Sequence, residues 1–395
     1  MALRPRLFRV RTGVRVAPWG DAVGDVAVLG VRLRDRQEAV VARLGMAFEG
    51  EVSPEEAVGE GVYWDDDVDV SFGALRAWLK VAESGSEMAL IERPQRLGEI
   101  EVERQVPISE CVTTGSRDLR AGEFARVVGV RWGRGAKPTL VPTMGWEGKT
   151  NLAGPFAGAV PWYLTARTAV TVRHWLHLLR ANISAAGISI FEEIGLSPWN
   201  VVWNWLRAPM RGGVAAVGRN CEIHPTARLE GCVVGNNVNV GAYSVLRGCW
   251  IGDGASIEDH VTARGSVIGP RSHLANYSMF NLSVLGERSS AGHIGAQASV
   301  IGNDAFLSTF ATLMDLNLRG NAKVEFDGKI LDTGIPFCGC AVGHNVRLGA
   351  NVTIAPGRAV PNGVRVMAED NVLARLTGTE VAGEYRVRGG RLVPV

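Results

Sequence analysis

The most constraining feature of the sequence is an aliphatic residue followed by glycine, which returns every 17 residues. The pairs are Val217-Gly218, Val234-Gly235, Ile251-Gly252, Ile268-Gly269, Leu285-Gly286 and, after 16 residues, Ile301-Gly302. Aliphatic residues also recur about every six positions within a repeat, and a small residue lies two positions before each pair. A repeat of this size cannot bury its own apolar face, so successive repeats must stack on one another.

Three six-residue steps per repeat predict a triangular parallel β-coil over residues 211–368, with about seven coils stacked at the ordinary strand spacing of ~4.8 Å. The pattern is interrupted after Ile301 and returns at Val342, 41 residues later, where one turn needs about 17. The excess predicts an inserted loop over 315–338. Within it, Asp327-Gly328 separates two short apolar runs and predicts a hairpin.

The remaining sequence predicts three other units. Residues 1–165 indicate a compact α/β domain, with strands over 25–29 and 87–92, helices over 34–44 and 72–82, and a connecting segment over 145–161. Residues 166–210 indicate a helical neck, with a long helix over 171–194. In the tail, 369–395, a Gly389-Gly390 pair between alternating residues predicts a closing hairpin.

Composition and charge argue against several partners. Lys and Arg total 42 against 40 for Asp and Glu, which favours no nucleic acid partner. The sequence has no 18-residue apolar run, so we predict no membrane span. Its six cysteines include three in the small-residue column of the repeat, which indicates packing residues in a reducing compartment. With no signal-peptide pattern in the first residues, we expect a cytoplasmic protein.

The aspartate run Asp65–Asp67 is the one candidate metal site at a predicted strand end. A solvated loop is the favoured interpretation, so we predict no metal and keep Asp66 and Asp67 as the weaker alternative. No glycine-rich phosphate loop of the form G-x-G-x-R or G-x-x-x-x-G-K-[ST] occurs in residues 1–165.

The segment ANYSMFNLSVLGERSSAGHIGAQASVIGND, residues 275–304, carries a family resemblance, as does Asn317-Leu318-Arg319-Gly320. It resembles the acetyltransferase half of the bifunctional glucosamine-1-phosphate acetyltransferase/uridylyltransferase family. The match covers about 211–362 and is weak over 1–165. The resemblance implies an N-terminal nucleotidyltransferase-like domain, a left-handed parallel β-helix and a homotrimer. It also implies acetyl-CoA or another acyl-CoA as donor, with a sugar-type acceptor.

The same resemblance implies roles for individual residues. His293, the histidine of A-G-H, corresponds to the general base, and an imidazole suits that task near neutral pH. Asn317, Arg264, Asn281 and Asn276 are the expected acceptor-binding residues. This sequence departs from the family where Asn281 and its neighbour replace a lysine pair, and where an alanine replaces a tyrosine three residues after His293. The N-terminal domain lacks the family's G-x-G-[ST]-R loop, which indicates a degenerate form.

Three functions remain open from the sequence. The leading one is a CoA-dependent acyltransferase acting on a sugar phosphate or nucleotide sugar, with His293 as the general base. The alternative is a non-catalytic β-helix scaffold or ligand-binding pseudoenzyme, which the missing lysine and tyrosine favour. The weaker alternative is a sugar-phosphate nucleotidyltransferase that works through Asp66 and Asp67.

Overall fold

The structure is a computed structural model that describes residues 5–92, 111–112, 124–134, 137–141, 145–152, 158–165, 167–195, 213–334, 336–368, 385–388 and 391–394. In these ranges the chain forms a mixed α/β layer, a neck helix and a long parallel β-solenoid.

The N-terminal layer is a mixed seven-stranded sheet with two helices. Its strands, in spatial order, are Lys137–Val141, Ser86–Glu92, Phe124–Trp132, Val62–Asp65, Leu7–Val10 and Gly50–Val52, with Cys111–Val112 paired to Phe124–Trp132. Only Phe124–Trp132 runs antiparallel to both of its neighbours in that order. Helices α1 (Leu33–Arg43) and α2 (Phe72–Leu79) pack on the sheet through buried residues such as Val41 and Trp78. The predicted alternation of strand and helix is confirmed, and its nucleotidyltransferase-like identity stays a prediction.

Two predictions for this region are wrong. Residues 25–29 do not form a buried strand of the sheet. They contribute to a short 3-10 turn, Val23–Asp25, and to a two-residue strand, Ala27–Val28, which pairs with Val31–Arg32. Residues 145–161 are not a connecting segment, because Gly145–Leu152 pairs antiparallel with Gly158–Thr165 over eight residue pairs. A ladder that long supplies enough main-chain hydrogen bonds to override the turn-forming glycines and proline.

The neck begins later than the periodicity predicts. Residues Ala169–Thr171 form a strand that pairs with Val68–Val70, and α3 follows over Trp175–Ile190. A single π-helical turn, Phe191–Gly195, continues it. The apolar face of α3 is buried as expected, at Trp175, Leu178 and Leu179 among others. The rest of the predicted neck, residues 196–210, lies outside the described residues. Elsewhere, Arg15–Val16 pairs with Asp21–Ala22.

The solenoid consists of three parallel sheets, called first, second and third below. The first contains Ala215–Val217, Cys232–Val234, Trp250–Ile251, Val267–Ile268, Val284–Leu285, Val300–Ile301, Ala341–Val342 and Ala359–Val360. The second contains Glu222–Ile223, Asn239–Val240, Ser256–Ile257, His273–Leu274, Ser290–Ala291, Phe306–Leu307, Arg347–Leu348 and Arg365–Val366. The third contains Arg228–Glu230, Val245–Arg247, Thr262–Arg264, Met279–Asn281, Gly295–Gln297, Thr312–Leu313 and Thr353–Ile354.

The interior of the solenoid has the two columns that the repeat predicts. Aliphatic residues such as Ile251, Ile268 and Leu285 are fully buried in one column. The small column is Cys232, Cys249, Ser266, Ser283, Ser299 and Cys340, all buried. Their hydroxyl and thiol groups donate to backbone carbonyls, as Ser266 Oγ does to Phe280 O at 3.2 Å. The parallel β-solenoid is therefore confirmed with these cysteines as packing residues, while its left-handedness stays a prediction.

The interruption of the repeat forms the predicted hairpin. Strands Lys323–Phe326 and Lys329–Asp332 pair antiparallel around Asp327 and Gly328, both of which have positive φ, as this tight turn requires. The insertion leaves after Thr312–Leu313 and packs on the outer face of the first sheet together with α3. The tail hairpin, Tyr385–Arg388 with Arg391–Pro394, is also confirmed. Among the described residues, no helix has the length and apolar character needed to cross a membrane.

Candidate functional site

A column of five rings, each in contact with the next, follows the corner of the solenoid between the second and third sheets. The rings are Tyr243, His260, Tyr277, His293 and Phe310, and successive centroids lie 5.1, 5.0, 5.6 and 4.7 Å apart. All five residues have positive φ, between 38° and 62°. Each corner therefore turns the chain in the same way and places its ring on the ring of the coil below. We call this column the ring ladder.

Side chains of neighbouring coils hold this corner in place. The Oδ1 atom of Asn276 accepts the Asp259 N–H at 2.9 Å, and Asp259 Oδ1 accepts the Ala242 N–H at 2.6 Å. These bonds satisfy backbone donors that the sharp turn takes out of the sheet. The side chain of Asn276, predicted to bind the acceptor, thus supports the corner of His260, two coils from His293.

His293 is half-buried, between the rings of Tyr277 and Phe310. No described residue makes a hydrogen bond with either of its ring nitrogens. Two residues later, Gly295 lies at an outward position of the third sheet, where an added Cβ would meet only the Met279 Cε atom, at 3.8 Å. The missing side chain leaves the outer face of this strand uncrowded two residues after His293.

Two of the predicted acceptor-binding residues lie at the other end of the third sheet. Arg264 and Asn281 are register neighbours on adjacent strands, and Asn281 is in turn opposite Gln297. Gln297 follows His293 by four residues, which is about 13 Å of strand. Arg264 is exposed, whereas Asn281 Oδ1 is buried without a described hydrogen-bond partner. The structure thus brings Arg264 and Asn281 together, and separates both from the corner of His293 within one chain.

Asn317 lies in the insertion, where its side chain organises its own turn. Its Nδ2 donates to Asn321 O at 3.0 Å, and its Oδ1 accepts the Arg319 N–H at 3.1 Å. Its backbone N–H donates to Pro336 O at 2.9 Å, across the base of the insertion. No described contact joins Asn317 to His293.

The aspartate run at the end of Val62–Asp65 is engaged with protein groups. Asp66 Oδ1 accepts both the N–H and the hydroxyl of Thr12, at 3.0 and 2.6 Å. Asp67 is fully buried and pairs with Arg173 at 2.7 Å, so it does not lie in the solvated loop that the sequence favoured. Within the described part of the chain, no group of three or more His, Cys, Asp or Glu side chains is placed to hold a metal ion.

Sequence reasoning missed a hydrogen-bonded chain on the outer face of the second sheet. It joins Ser290, His273 and Glu258, which belong to three successive coils. The sequence signal was the 17-residue spacing of His273 and Ser290, because residues one repeat apart are register neighbours.

A second missed feature is a small cleft of about 70 Å³ between the N-terminal segment 19–30 and the first sheet. Its wall includes a hydrogen bond between His344 Nε2 and Asp21 Oδ2 at 2.9 Å. Because the pair joins residues more than three hundred positions apart, no sequence spacing could have indicated it.

No protein-family model and no curated protein matches the sequence. Matches occur among solved structures. A hexapeptide transferase family protein from Anaplasma phagocytophilum is 15% identical over 38% of this chain and 77% of that chain, with a TM-score of 0.17. A mutant of GDP-perosamine N-acetyl transferase from Caulobacter crescentus, in complex with CoA and GDP-perosamine, is 18% identical over 45% and 68%, with a TM-score of 0.18. At such TM-scores the superpositions assign neither fold nor function to this chain.

Proposed function

We propose that the protein is a CoA-dependent acyltransferase that acts on an amine or hydroxyl group of a sugar phosphate or nucleotide sugar. The observation that supports this most is the placement of His293. It is the histidine of the A-G-H motif, half-exposed, with the side-chain-free Gly295 two residues later and no described hydrogen bond to its ring nitrogens. A general base needs a nitrogen that is available to the incoming acceptor.

His293 would take the proton from the acceptor as the acceptor attacks the acyl carbonyl. Acyl-CoA supplies the acyl group as an activated thioester. The tilted rings of Tyr277 and Phe310 flank the imidazole on both sides and restrict its orientation, which lowers the entropic cost of reaching the reactive geometry. The outer face beside His293 fits a slender pantetheine arm, because Gly295 carries no side chain and Met279 offers an apolar flank.

We further propose a homotrimer. The ring ladder exposes more than half of each of the Tyr243, Tyr277 and Phe310 side chains, a large apolar surface for one corner. A neighbouring copy would cover it. Arg264 and Asn281, too distant within one chain, could then approach His293 from that neighbour and bind the acceptor, as could Asn317. Light scattering would measure the mass of the assembly, and a monomer would contradict this arrangement.

The test compares two histidines of the ring ladder. His293→Ala should lower acetyl transfer from acetyl-CoA to amino-sugar phosphates or nucleotide sugars by about 10²–10⁴-fold. His260→Ala removes a ring from the same column and should leave the rate within about threefold, because Thr262 rather than a glycine follows His260 by two residues. Equal rates for the wild type and His293→Ala would remove His293 from the mechanism. Equal losses in both variants would assign the effect to stacking.

A specific observation favours a second function, that of a non-catalytic scaffold or ligand-binding pseudoenzyme. The ring ladder gives His293 a structural role of its own, and Asn281, Leu282 and Ala296 lack the charged and phenolic groups that the resembled family has there. Titration calorimetry of the full chain with CoA separates the acyltransferase from a scaffold, which should give no heat of binding, whereas a pseudoenzyme would bind CoA without transferring an acyl group. The nucleotidyltransferase alternative through Asp66 and Asp67 requires pyrophosphate release from a nucleoside triphosphate and a sugar phosphate.

A further inference from the structure

Three side chains on the outer face of the second sheet form a continuous hydrogen-bonded chain. Ser290 Oγ lies 3.0 Å from His273 Nδ1, and His273 Nε2 lies 2.7 Å from Glu258 Oε1. The second oxygen of Glu258 accepts the Asn276 N–H at 3.0 Å, which fixes the carboxylate against the ring. Glu258, His273 and Ser290 belong to three successive coils, in that order along the sequence.

The chemistry of the groups determines where the protons lie. An ionised carboxylate only accepts hydrogen bonds, so the neutral His273 imidazole that a base requires has its proton on Nε2 and donates it to Glu258. The Nδ1 atom then presents a lone pair to Ser290, whose hydroxyl donates to it. This is the nucleophile, base and orienting carboxylate arrangement of serine-dependent acyl transfer, assembled here from three parallel coils.

The outer face around this chain is partly open to solvent. Ser290 and His273 are half-buried on the outer face of the solenoid. The register neighbour of Ser290 on the next coil is Phe306, whose side chain is 45% exposed. An acyl ester with an apolar leaving group can therefore lie on the Phe306 ring with its carbonyl near Ser290.

We propose that Ser290 is a nucleophile that accepts an acyl group from an activated ester or thioester, with His273 as its base and Glu258 as the positioning residue. The Ser290 Oγ forms a bond to the acyl carbonyl carbon while its proton passes to His273 Nδ1. The ester C–O or thioester C–S bond breaks, and the departing alkoxide or thiolate takes that proton from His273. Water then attacks the acyl-serine with His273 as base, which releases the carboxylic acid and restores the hydroxyl. No step uses His293.

The probe is p-nitrophenyl acetate, applied to the full chain without CoA. We expect a burst of nitrophenolate of about one equivalent per chain, and peptide mass spectrometry should place one acetyl group on Ser290. Ser290→Ala should abolish the burst, and His273→Ala should slow acylation by about 10²–10⁴-fold. Glu258→Gln keeps an oxygen for the Asn276 N–H and should slow acylation less than His273→Ala does.

The matched control is Ser256, the register neighbour of His273 on the opposite side. It shares the outer face and the strand position of Ser290, but no described hydrogen bond joins its side chain to His273. Ser256→Ala should acylate at the wild-type rate. The proposal is overturned if Ser290 stays unmodified, if Ser256 is labelled equally, or if His273→Ala acylates as fast as the wild type while its circular dichroism and melting temperature are unchanged.

Discussion

Asp67 is a buried carboxylate that the fold leaves only partly satisfied. Its Oδ2 pairs with Arg173 at 2.7 Å, whereas its Oδ1 is buried with no described hydrogen-bond partner. Burial raises the pKa of Asp67 to about 6, and the neighbouring charges of Asp65 and Asp66 add to the rise, while Arg173 opposes it. A charged group that loses this much hydration is a cost to the folded state.

The sign of that cost gives a prediction for stability. The pKa of Asp67 is higher in the folded than in the unfolded chain, so its contribution to the free energy of unfolding is lost as pH rises from about 4 to about 6. A difference of about two pH units corresponds to about 3 kcal/mol. Asp67→Asn does not titrate. We therefore compare the free energies of unfolding of the two proteins, measured with denaturant at several pH values. The difference between them should change by about 3 kcal/mol between about pH 4 and about pH 6, and should be constant above that range. Parallel pH curves would contradict the raised pKa.

At the scale of elements, α3 begins where the insertion meets the neck. His174 caps the helix, as its Nδ1 accepts the Leu176 N–H at 3.3 Å, and its Nε2 donates to Glu325 O in the hairpin at 3.1 Å. Burial lowers the pKa of His174 to about 4, although the Glu325 carbonyl opposes this effect.

The lowered pKa of His174 predicts an acid-sensitive junction. Since the unfolded chain binds this proton more readily, stability is complete above pH 6.5 and is lost as pH falls towards about 4, by about 3 kcal/mol. His174→Asn keeps a favoured cap without titrating. The wild type should lose protection of the 323–332 hairpin from amide exchange between pH 6 and 4.5, whereas the variant should lose much less. Equal losses would show that another group controls the junction.

The elements that the sequence predicts best are those with a local signal. The 17-residue repeat and the Asp327-Gly328 turn determine the solenoid and the hairpin, because each sets the backbone over a few residues. The sequence also carried a signal, which was missed, that other elements cover the outer face of the first sheet. Val267 and Val284 each precede an inward-facing aliphatic residue, so their strands are apolar on both faces. A strand of that kind is buried on both faces.

The candidate site was less predictable from the sequence. The A-G-H motif singled out His293. The surroundings of Asn276 and Asn281 could be predicted only by knowing where each residue lies on its coil. Such placement depends on the register between coils rather than on any single repeat.

At the scale of the whole molecule, one apolar cluster joins four parts of the chain. It contains residues of the N-terminal segment 14–33, α3, the outer face of the first sheet and the insertion. Trp19 is buried at its edge, where its Nε1–H donates to Val342 O at 3.1 Å and its carbonyl accepts from Asn362 Nδ2 at 2.6 Å. The N-terminal segment is therefore hydrogen-bonded to the last coils of the solenoid, which follow it by more than three hundred residues.

Loss of Trp19 should release that segment without unfolding the solenoid. Trp19→Ala removes a large buried ring, at a cost of about 3–5 kcal/mol, whereas the solenoid interior is a separate cluster that does not contain Trp19. Amide exchange should therefore accelerate over 14–33 and at the start of α3, while inward strands such as His273–Leu274 stay protected, as expected for local opening. Trp19→Phe keeps most of the packing and loses only the bond to Val342, so it should cost about 1 kcal/mol. If Trp19→Ala reduced protection equally in both regions, the solenoid and its covering would form one cooperative unit, and the N-terminal segment would be part of what holds the coils together.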